Sequence, residues 1–182
     1  EHFSTVCTDN DEVGLMAATK IRQKGYTEAA IFASRHSYFA TSQRVQAFIS
    51  SCERLGIETD EKYILKGSST RNGGYEIGKQ YAALKEPPKM IFCDSDAIAL
   101  GALRAFHEEG ISVPGDAELL SIGMLDPEAA SYYVPSLSVV EMPNKEIGQQ
   151  VLRLMRKKVL NNDISSEHVK VHAKLMLRES FS

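Results

Sequence analysis

The sequence predicts an α/β fold, doubly wound around a mainly parallel sheet. Short β-rich runs alternate with stretches of roughly 10–16 residues in which apolar side chains recur at helical spacing, a pattern typical of β–α–β crossover units. The 182 residues fit one domain, or two small lobes, at about 150 residues per domain. An apolar share of 43% and a charged share of 25% are typical of a soluble globular protein.

Capping residues and glycines set the predicted helix boundaries in the first half of the chain. Asp9, Asn10 and Asp11 offer side-chain oxygens that can cap a helix after the first strand, and Gly25 ends that helix. Thr41 or Ser42 is expected to cap the second helix, and Gly56 ends it. A third helix follows the loop 67–72.

The second half repeats the same rhythm. Ser95 or Asp96 is expected to cap the fourth helix, and Gly110 closes it. The last helix starts at residues 143–144, and its predicted apolar face consists of Ile147, Val151, Leu154, Met155 and Val159. The predicted strands are 3–8, 29–33, 63–65, 89–93, 118–122, 137–141 and 169–177.

Charge, hydropathy and cysteine content argue against several classes of protein. The chain has 21 basic and 24 acidic side chains, so its net charge of -3 lacks the basic surplus of a domain that binds DNA phosphates. No apolar run approaches the roughly 18 residues that a membrane helix needs. Cys7, Cys52 and Cys93 form no C-x-x-C motif and predict buried free thiols in a reducing compartment. Because the chain begins at Glu1 on the edge of a strand, we expect it to be a piece of a longer protein.

The motifs of enzymes built on similar sheets are missing from the sequence. No G-x-G-x-x-G follows a strand, no G-x-S-x-G occurs, and residues 67–79 lack the spacing of a phosphate-binding loop. His168 and His172 would lie about 13 Å apart on one face of a strand, too far apart to bind one metal ion. The sequence therefore predicts no catalytic site, no metal site and no cofactor.

A binding site is predicted where the strands end, because ligands of open α/β sheets bind in the loops after the carboxyl ends of the strands. These loops contain Asp9 and residues 34–44, 67–72, 94–96 and 124–126. Arg44 follows such a loop, in the predicted first turn of a helix, where a cation is unfavourable for the helix dipole. Its guanidinium could hold paired hydroxyls or a carboxylate, and an ordinary solvated arginine is the alternative. Asp96 fits a helix cap better than a ligand contact.

Several stretches, in order along the chain, resemble the LacI/GalR family of transcription regulators. Residues 43–48, Q-R-V-Q-A-F, resemble R-x-x-G-F with Ala47 in place of the glycine. Residues 88–102, P-K-M-I-F-C-D-S-D-A-I-A-L-G-A, resemble P-T-A-I-F-x-x-N-D-x-x-A-x-G-A. Residues 110–116 resemble G-x-x-V-P-x-D, and residues 177–180 resemble the end of L-x-x-R-x-S. The set covers nearly the whole chain.

The resemblance implies a periplasmic binding protein-like (type I) effector domain, represented by its C-terminal lobe plus a returning segment. In that family two lobes close on a small molecule, often a sugar, and closure alters a cytoplasmic homodimer attached to helix-turn-helix DNA-binding heads. Residues 1–124 would then be the C-terminal lobe, and 125–160 the returning segment shared with the missing N-terminal lobe. Residues 161–182 would be the closing strand of the C-terminal lobe. DNA would be bound only through the missing head.

Site residues follow from the same resemblance. Arg44 matches the family arginine that hydrogen-bonds the effector, Ser95 stands in place of an asparagine, and Asp96 matches the aspartate beside it. Leu125 stands where an aspartate is common, with Asp126 next to it, and Ser69 of the loop 67–72 completes the expected effector-binding set. Because two polar contacts are changed or absent, we expect a non-standard or weakly bound effector, one that is larger, more apolar or phosphorylated.

The resemblance also implies a dimer contact and leaves one alternative function open. Leu100, Leu103 and Tyr133 lie on segments that form the dimer interface in the family. An extracytoplasmic solute-binding protein of a sugar importer or sensor would share the fold, but the free cysteines and the terminal R-x-S pattern argue against it. The effector, the operator and the direction of regulation are left open by the sequence.

Overall fold

The computed structural model describes residues 3–35, 39–123, 128–161 and 165–181. The strands in these ranges are β1 (Thr5–Thr8), β2 (Ala30–Ser34), β3 (Ile64–Gly67), β4 (Met90–Cys93), β5 (Glu118–Gly123), β6 (Ser138–Glu141), β7 (His168–Val171) and β8 (Lys174–Met176). The helices are α1 (Asn10–Gln23), α2 (Phe39–Arg54), α3 (Arg71–Ala82), α4 (Asp96–Glu109), α5 (Ala129–Tyr132) and α6 (Asn144–Asn161). Short 3₁₀ turns cover Glu61–Tyr63 and Glu179–Phe181.

Six strands form the main sheet in the order β3-β2-β4-β5-β6-β8. All neighbours are parallel except β6 and β8, which run antiparallel. A chain that proceeds outward from β2 to β3, and then from β4 through β6 on the other side, is doubly wound. The α/β fold class predicted from the sequence is confirmed.

The two faces of the sheet carry separate apolar cores, because successive side chains of a strand point to opposite faces. Ile31 and Phe92 belong to the core on the α1–α2 side, where the ring of Phe92 stacks on Phe48 with centroids 3.9 Å apart. Phe32 belongs to the core on the α3–α4 side and meets Phe106 edge-on, with centroids 6.3 Å apart. The central strands are therefore buried on both faces, as a mainly parallel sheet requires.

Helices α3 and α4 approach one another closely because glycines line their contact. A Cβ atom on Gly74 would collide with the carbonyl oxygen of Ile98, and one on Gly101 would collide with that of Arg71. The close contact fixes the direction of α4, whose first residues lie at the carboxyl end of β4.

Helix starts agree with the predicted caps at two places and differ at one. Asp9 accepts a hydrogen bond from the backbone N–H of Glu12 and caps α1. Ser95 is the residue that caps α4. The prediction of Thr41 or Ser42 as the cap of the second helix was wrong, because α2 already begins at Phe39 and both residues lie inside it.

The predicted last strand, 169–177, is in fact two strands in two different sheets. β7 pairs in parallel with β1, from Thr5 opposite His168 to Thr8 opposite Val171, and β8 pairs with β6 in the main sheet. Residues 172–173 separate the two strands. A uniform alternation of side chains could not reveal this change of partner, because period-2 patterning reports the faces of a strand and not its neighbours.

Helix α6 packs against β1 and β7 and leaves most of its apolar side chains exposed. Of its predicted apolar face, Leu154 is buried, whereas Val159 is 77% exposed and Met155 is 57% exposed. Most of this face is therefore uncovered, since the described part of the chain supplies too little surface to cover it.

All three cysteines of the chain are free thiols. Cys52 and Cys93 are buried free thiols, as predicted, but Cys7 is exposed at the small β1–β7 sheet. Among the described helices, none is both long and apolar enough to cross a membrane.

Candidate functional site

The carboxyl ends of β2 and β4 are joined by a buried carboxylate. Asp94 directly follows β4, and its backbone N–H donates to the carbonyl oxygen of Phe32 at 3.0 Å. The backbone N–H of Ser34, the last residue of β2, donates to Oδ2 of Asp94 at 2.6 Å. These two bonds fix Asp94 at the edge of the sheet where ligands of α/β proteins bind.

Asp94 has no exposed surface, and its second oxygen is unusual. Oδ1 is buried and has no hydrogen-bond partner among the described residues. Burial raises the pKa of Asp94, while hydrogen bonds from Ser34 and Ser95 and the positive charge of Arg44 act in the opposite direction. An unsatisfied buried oxygen of this kind is rare in native proteins and calls for an explanation.

Arg44 is buried beside this carboxylate. Only 4% of its surface is exposed, and its Nε donates to Oδ1 of Asn10 at 3.3 Å. Burial lowers the pKa of Arg44, and the charge of Asp94 opposes that shift. The alternative of an ordinary solvated arginine was wrong. The predicted place in the first helical turn was also wrong, because α2 begins at Phe39 and Arg44 is its sixth residue.

Ser95 and Asp96 lie at the start of α4 and are both buried. The hydroxyl oxygen of Ser95 accepts a hydrogen bond from the backbone N–H of Ile98 at 3.4 Å, so Ser95 is the cap. The prediction that Asp96 is the cap was wrong, since Asp96 is the first residue within the helix.

The remaining predicted site residues are Ser69, Leu125 and Asp126, and none of them is seen beside Arg44 and Asp94. Ser69 is exposed in the loop after β3, at the same edge of the sheet as Ser34, because the N–H of Arg35 donates to the carbonyl oxygen of Gly67 at 2.6 Å. Leu125 and Asp126 lie outside the described residues. The structure therefore brings Arg44, Ser95 and Asp96 to one edge, with Ser69 on its outer side.

Asn10 connects this edge to a polar groove. Its Nδ2 donates to Oε1 of Gln43 at 3.3 Å, and its Oδ1 accepts the bond from Arg44. The groove has a volume of about 800 Å³ and lies between β1, β7, the start of α1 and the exposed side of α2. Its lining includes Thr8, Asn10, Gln43, Ser50, Arg54 and Lys170.

Sequence reasoning missed two residues of this site. Asn10 was considered only as a capping residue, although it belongs to a stretch next to the first strand. Asp94 was passed over in favour of Ser95 and Asp96. The signal that could have found it is an acidic residue directly after a strand of four apolar residues, because such a position is buried in a doubly wound fold.

The chemistry of this edge is that of a polar binding site. A carboxylate, a guanidinium and hydroxyl groups can together accept and donate hydrogen bonds to a small polar molecule. Among the described residues, no group of three or more His, Cys, Asp or Glu side chains is placed to hold a metal ion. His168 instead bonds to Thr5, and His172 to Glu12.

The residues expected at a dimer contact lie on the other side of the molecule from α1 and α2. Leu100 and Leu103 are half-buried on α4, and both Leu103 and Tyr133 pack against the core on the α3–α4 side. Tyr132 and Val134, which flank Tyr133, are exposed. This surface therefore carries apolar side chains next to residues that are already partly packed.

Comparison with known families and sequences gives matches over nearly the whole chain. A family profile described as a periplasmic binding protein-like domain matches residues 18–181. The chain is 27% identical over 169 residues to the HTH-type transcriptional repressor PurR of Mannheimia succiniciproducens, a match that covers 93% of this chain and 50% of that protein. The chain spans about half the length of the curated relatives it matches.

Solved structures of similar fold are transcription regulators. A LacI family transcription regulator from Clostridium acetobutylicum superposes with a TM-score of 0.92 at 30% identity, over 97% of this chain and 66% of that chain. A LacI family regulator from Enterococcus faecium with bound ribose has a TM-score of 0.84 at 20% identity, over 98% and 65%. The transcriptional regulator CelR in complex with cellobiose has a TM-score of 0.88 at 24% identity, over 99% and 54%. The last two likenesses concern the fold alone.

Proposed function

The chain is a periplasmic binding protein-like domain and belongs to the LacI/GalR family of transcription regulators. We therefore propose that it senses a small-molecule effector on behalf of a DNA-binding regulator. The effector is a sugar or a sugar-like molecule. The observation that carries the proposal is the buried pair of Arg44 and Asp94 at the carboxyl ends of the strands. The relatives are regulators of transcription, which favours this function over a solute-binding receptor and over an enzyme.

Burial of charge supports a functional role for this pair. Moving a guanidinium and a carboxylate out of water costs several kcal/mol per ion, and mutual attraction repays this only with good geometry and further hydrogen bonds. Within the described part of the chain, only one of the two oxygens of Asp94 has a hydrogen-bond partner. A ligand that supplies the missing hydrogen bond would complete the set, and ribose and cellobiose in the two regulators above are ligands rich in hydroxyl groups.

The division into lobes follows the strand pairing. The six-stranded main sheet with α1 to α4 corresponds to the C-terminal lobe, and α6 belongs to the segment shared with the N-terminal lobe. We adjust the expected boundaries 1–124, 125–160 and 161–182 at two points. β1 joins the shared part because it pairs with β7, and β8 alone closes the main sheet.

Effector binding would act on the rest of the regulator through this shared part. The uncovered apolar side chains of α6 fit packing against the N-terminal lobe, which would close over the strand ends when the effector binds. The regulator would be a cytoplasmic homodimer with Leu100, Leu103 and Tyr133 at its interface. It would contact DNA through a helix-turn-helix head, since this chain has a net charge of -3.

Arg44→Ala tests the effector site. A library of sugars and other small metabolites is screened against the purified protein by thermal shift, and every hit is titrated by calorimetry. We expect Arg44→Ala to lose binding, while Arg22→Ala, which removes an exposed guanidinium from α1, binds as the unmodified protein does. Unchanged affinity in Arg44→Ala would contradict the proposed site.

A further inference from the structure

We propose that Asp94 sets the ligand class of this site by selecting a neutral ligand that donates a hydrogen bond, and by excluding phosphorylated ligands. The inference rests on the proposed effector-binding function. The proposed ligand is an unphosphorylated sugar, and phosphorylated sugars are excluded from the effectors expected from the sequence. The free oxygen Oδ1 of Asp94 is the acceptor that the ligand's hydroxyl would fill.

The two oxygens of Asp94 have different tasks. Oδ2 holds the strand ends together through the 2.6 Å bond from the N–H of Ser34. Oδ1 has no partner among the described residues, and it is not needed for this link between the strands. A carboxylate oxygen can only accept hydrogen bonds, so the missing partner must be a donor. A sugar hydroxyl is such a donor, whereas an ionised phosphate oxygen is another acceptor.

The charges of the site point in the same direction. The single negative charge of Asp94 offsets the positive charge of Arg44, and Asp96 adds a second buried carboxylate at the same edge. The guanidinium of Arg35, on the residue after Ser34, donates to the carbonyl oxygen of Lys66 at the outer strand. A phosphate at Oδ1 would bring two anions together where water is excluded, and repulsion is strongest there.

Arg44 completes the recognition of a hydroxyl pair. One hydroxyl of a vicinal diol can donate to a carboxylate while its neighbour accepts from a guanidinium. Burial raises the pKa of Asp94, so the ionised form is destabilised in the empty site. A donor hydroxyl at Oδ1 would stabilise that form again. Since Oδ1 has no exposed surface, the groups that cover it must move before the hydroxyl reaches it.

Matched pairs of sugar and sugar phosphate test this selectivity. D-ribose is compared with ribose 5-phosphate, and D-glucose with glucose 6-phosphate, by titration calorimetry on the unmodified protein, Asp94→Asn and Asp60→Asn. In Asp94→Asn the amide oxygen can still accept from Ser34, while the amide nitrogen replaces Oδ1 by a donor. Asp60→Asn removes a carboxylate from an exposed cap near the amino end of β3 and serves as the matched control.

We expect the unmodified protein and Asp60→Asn to bind at least one neutral sugar and to bind its phosphate at least about tenfold more weakly, which corresponds to about 1.4 kcal/mol. Asp94→Asn should bind the neutral sugar more weakly than the unmodified protein by at least the same factor. The difference in affinity between the sugar and its phosphate should also become smaller. If Asp94→Asn does not fold, the sugar-to-phosphate ratio of the unmodified protein decides alone.

Three results would overturn the inference. The first is a phosphate bound as tightly as its parent sugar by the unmodified protein. The second is an unchanged sugar-to-phosphate ratio in a folded Asp94→Asn. The third is a protein that binds none of these sugars but binds another small molecule through Arg44, in which case the proposed sensing of an effector at this site would stand and the assignment of a sugar would not. If no small molecule binds, the proposed function fails as well.

Discussion

The backbone N–H of Ser34 donates a 2.6 Å hydrogen bond to Oδ2 of Asp94, which ties the ends of two neighbouring strands together. The other oxygen of the same carboxylate is buried without a partner among the described residues. One side chain therefore both stabilises the sheet and carries an unsatisfied hydrogen-bond acceptor. Residues that bind a ligand well often lower the stability of the empty protein. At Asp94 this trade-off between binding and stability should be measurable.

Asp94→Asn should stabilise the empty protein by about 1 kcal/mol, because the cost of burying the charge of Asp94 outweighs the hydrogen bonds and the attraction of Arg44 that offset it, and because the amide keeps an acceptor for Ser34. Urea unfolding monitored by circular dichroism measures the change, with Asp60→Asn as the control. Since burial raises the pKa of Asp94 above 3.8, the cost of its charge is absent at lower pH and grows as the pH rises through the folded pKa. The advantage of Asp94→Asn should therefore be larger at pH 7 than at about pH 4. If Asp94→Asn differed from the unmodified protein by the same free energy of unfolding at both pH values, this account would be contradicted.

The stacked rings of Phe48 and Phe92, 3.9 Å apart and both fully buried, should be a major source of stability. Phe92→Ala removes apolar contacts and leaves a cavity, so we expect a loss of about 3–5 kcal/mol in the free energy of unfolding. Phe39→Ala, at a position that is 78% exposed, should change it by less than about 0.5 kcal/mol. Denaturant unfolding of both variants checks the difference. Similar losses would show that the stack adds little to the core.

Two helical glycines should respond oppositely to alanine. At Gly101 a Cβ would collide with the backbone of α3, so Gly101→Ala should destabilise the protein by about 1–3 kcal/mol. At Gly148, on α6, an added Cβ would meet no atom of the described residues within 4 Å apart from its own stretch of the helix, so Gly148→Ala should stabilise the protein by about 0.5–1 kcal/mol. Melting temperatures of the pair measure both effects. A stabilising Gly101→Ala would mean that α3 and α4 can separate without cost.

The pair of His172 and Glu12, with Nδ1 of the imidazole 2.8 Å from Oε2 of the carboxylate, should make stability depend on pH. The hydrogen bond to Glu12 raises the pKa of His172 above 6.5. A raised histidine pKa gives stability that is fully present below the unfolded value and is lost as the pH rises through the folded value. His172→Gln should therefore lower the melting temperature at about pH 5.5 and have no effect at about pH 8.5.

His107→Gln, on the exposed end of α4, serves as the control for this titration. We expect its melting temperature to follow that of the unmodified protein at both pH values. A deficit of His172→Gln that is the same at both pH values would contradict an ionic origin and indicate lost packing at the end of β7.

Local patterns predicted the main sheet and its helices because those patterns are created by burial. The strand at Met90–Cys93 is buried on both faces, and its four apolar residues identify it without any neighbour. Capping by Asp9 and Ser95 was equally visible, since a cap depends on contacts within three residues. The family resemblance rests on short motifs of the same kind.

The candidate site could be predicted only in part. Arg44 was identified from its position after a strand and from the resemblance, but its burial against Asn10 depends on residues 34 positions apart. Asp94 was missed because a side chain after a strand looks like a loop residue until the neighbouring strand is in place. The apolar face of α6 was predicted but its exposure could not be, because helical periodicity does not tell whether a partner surface exists.

The sequence by itself determined the α/β class, the family and the presence of Arg44 at a strand end, since these depend on local patterning and on short motifs. Only the tertiary structure decided that the last predicted strand divides between two sheets, and that Oδ1 of Asp94 is left without a partner among the described residues. The physical reason is the same in both cases. Strand partners and the satisfaction of a buried polar atom are set by groups distant along the chain, whose arrangement no local pattern records.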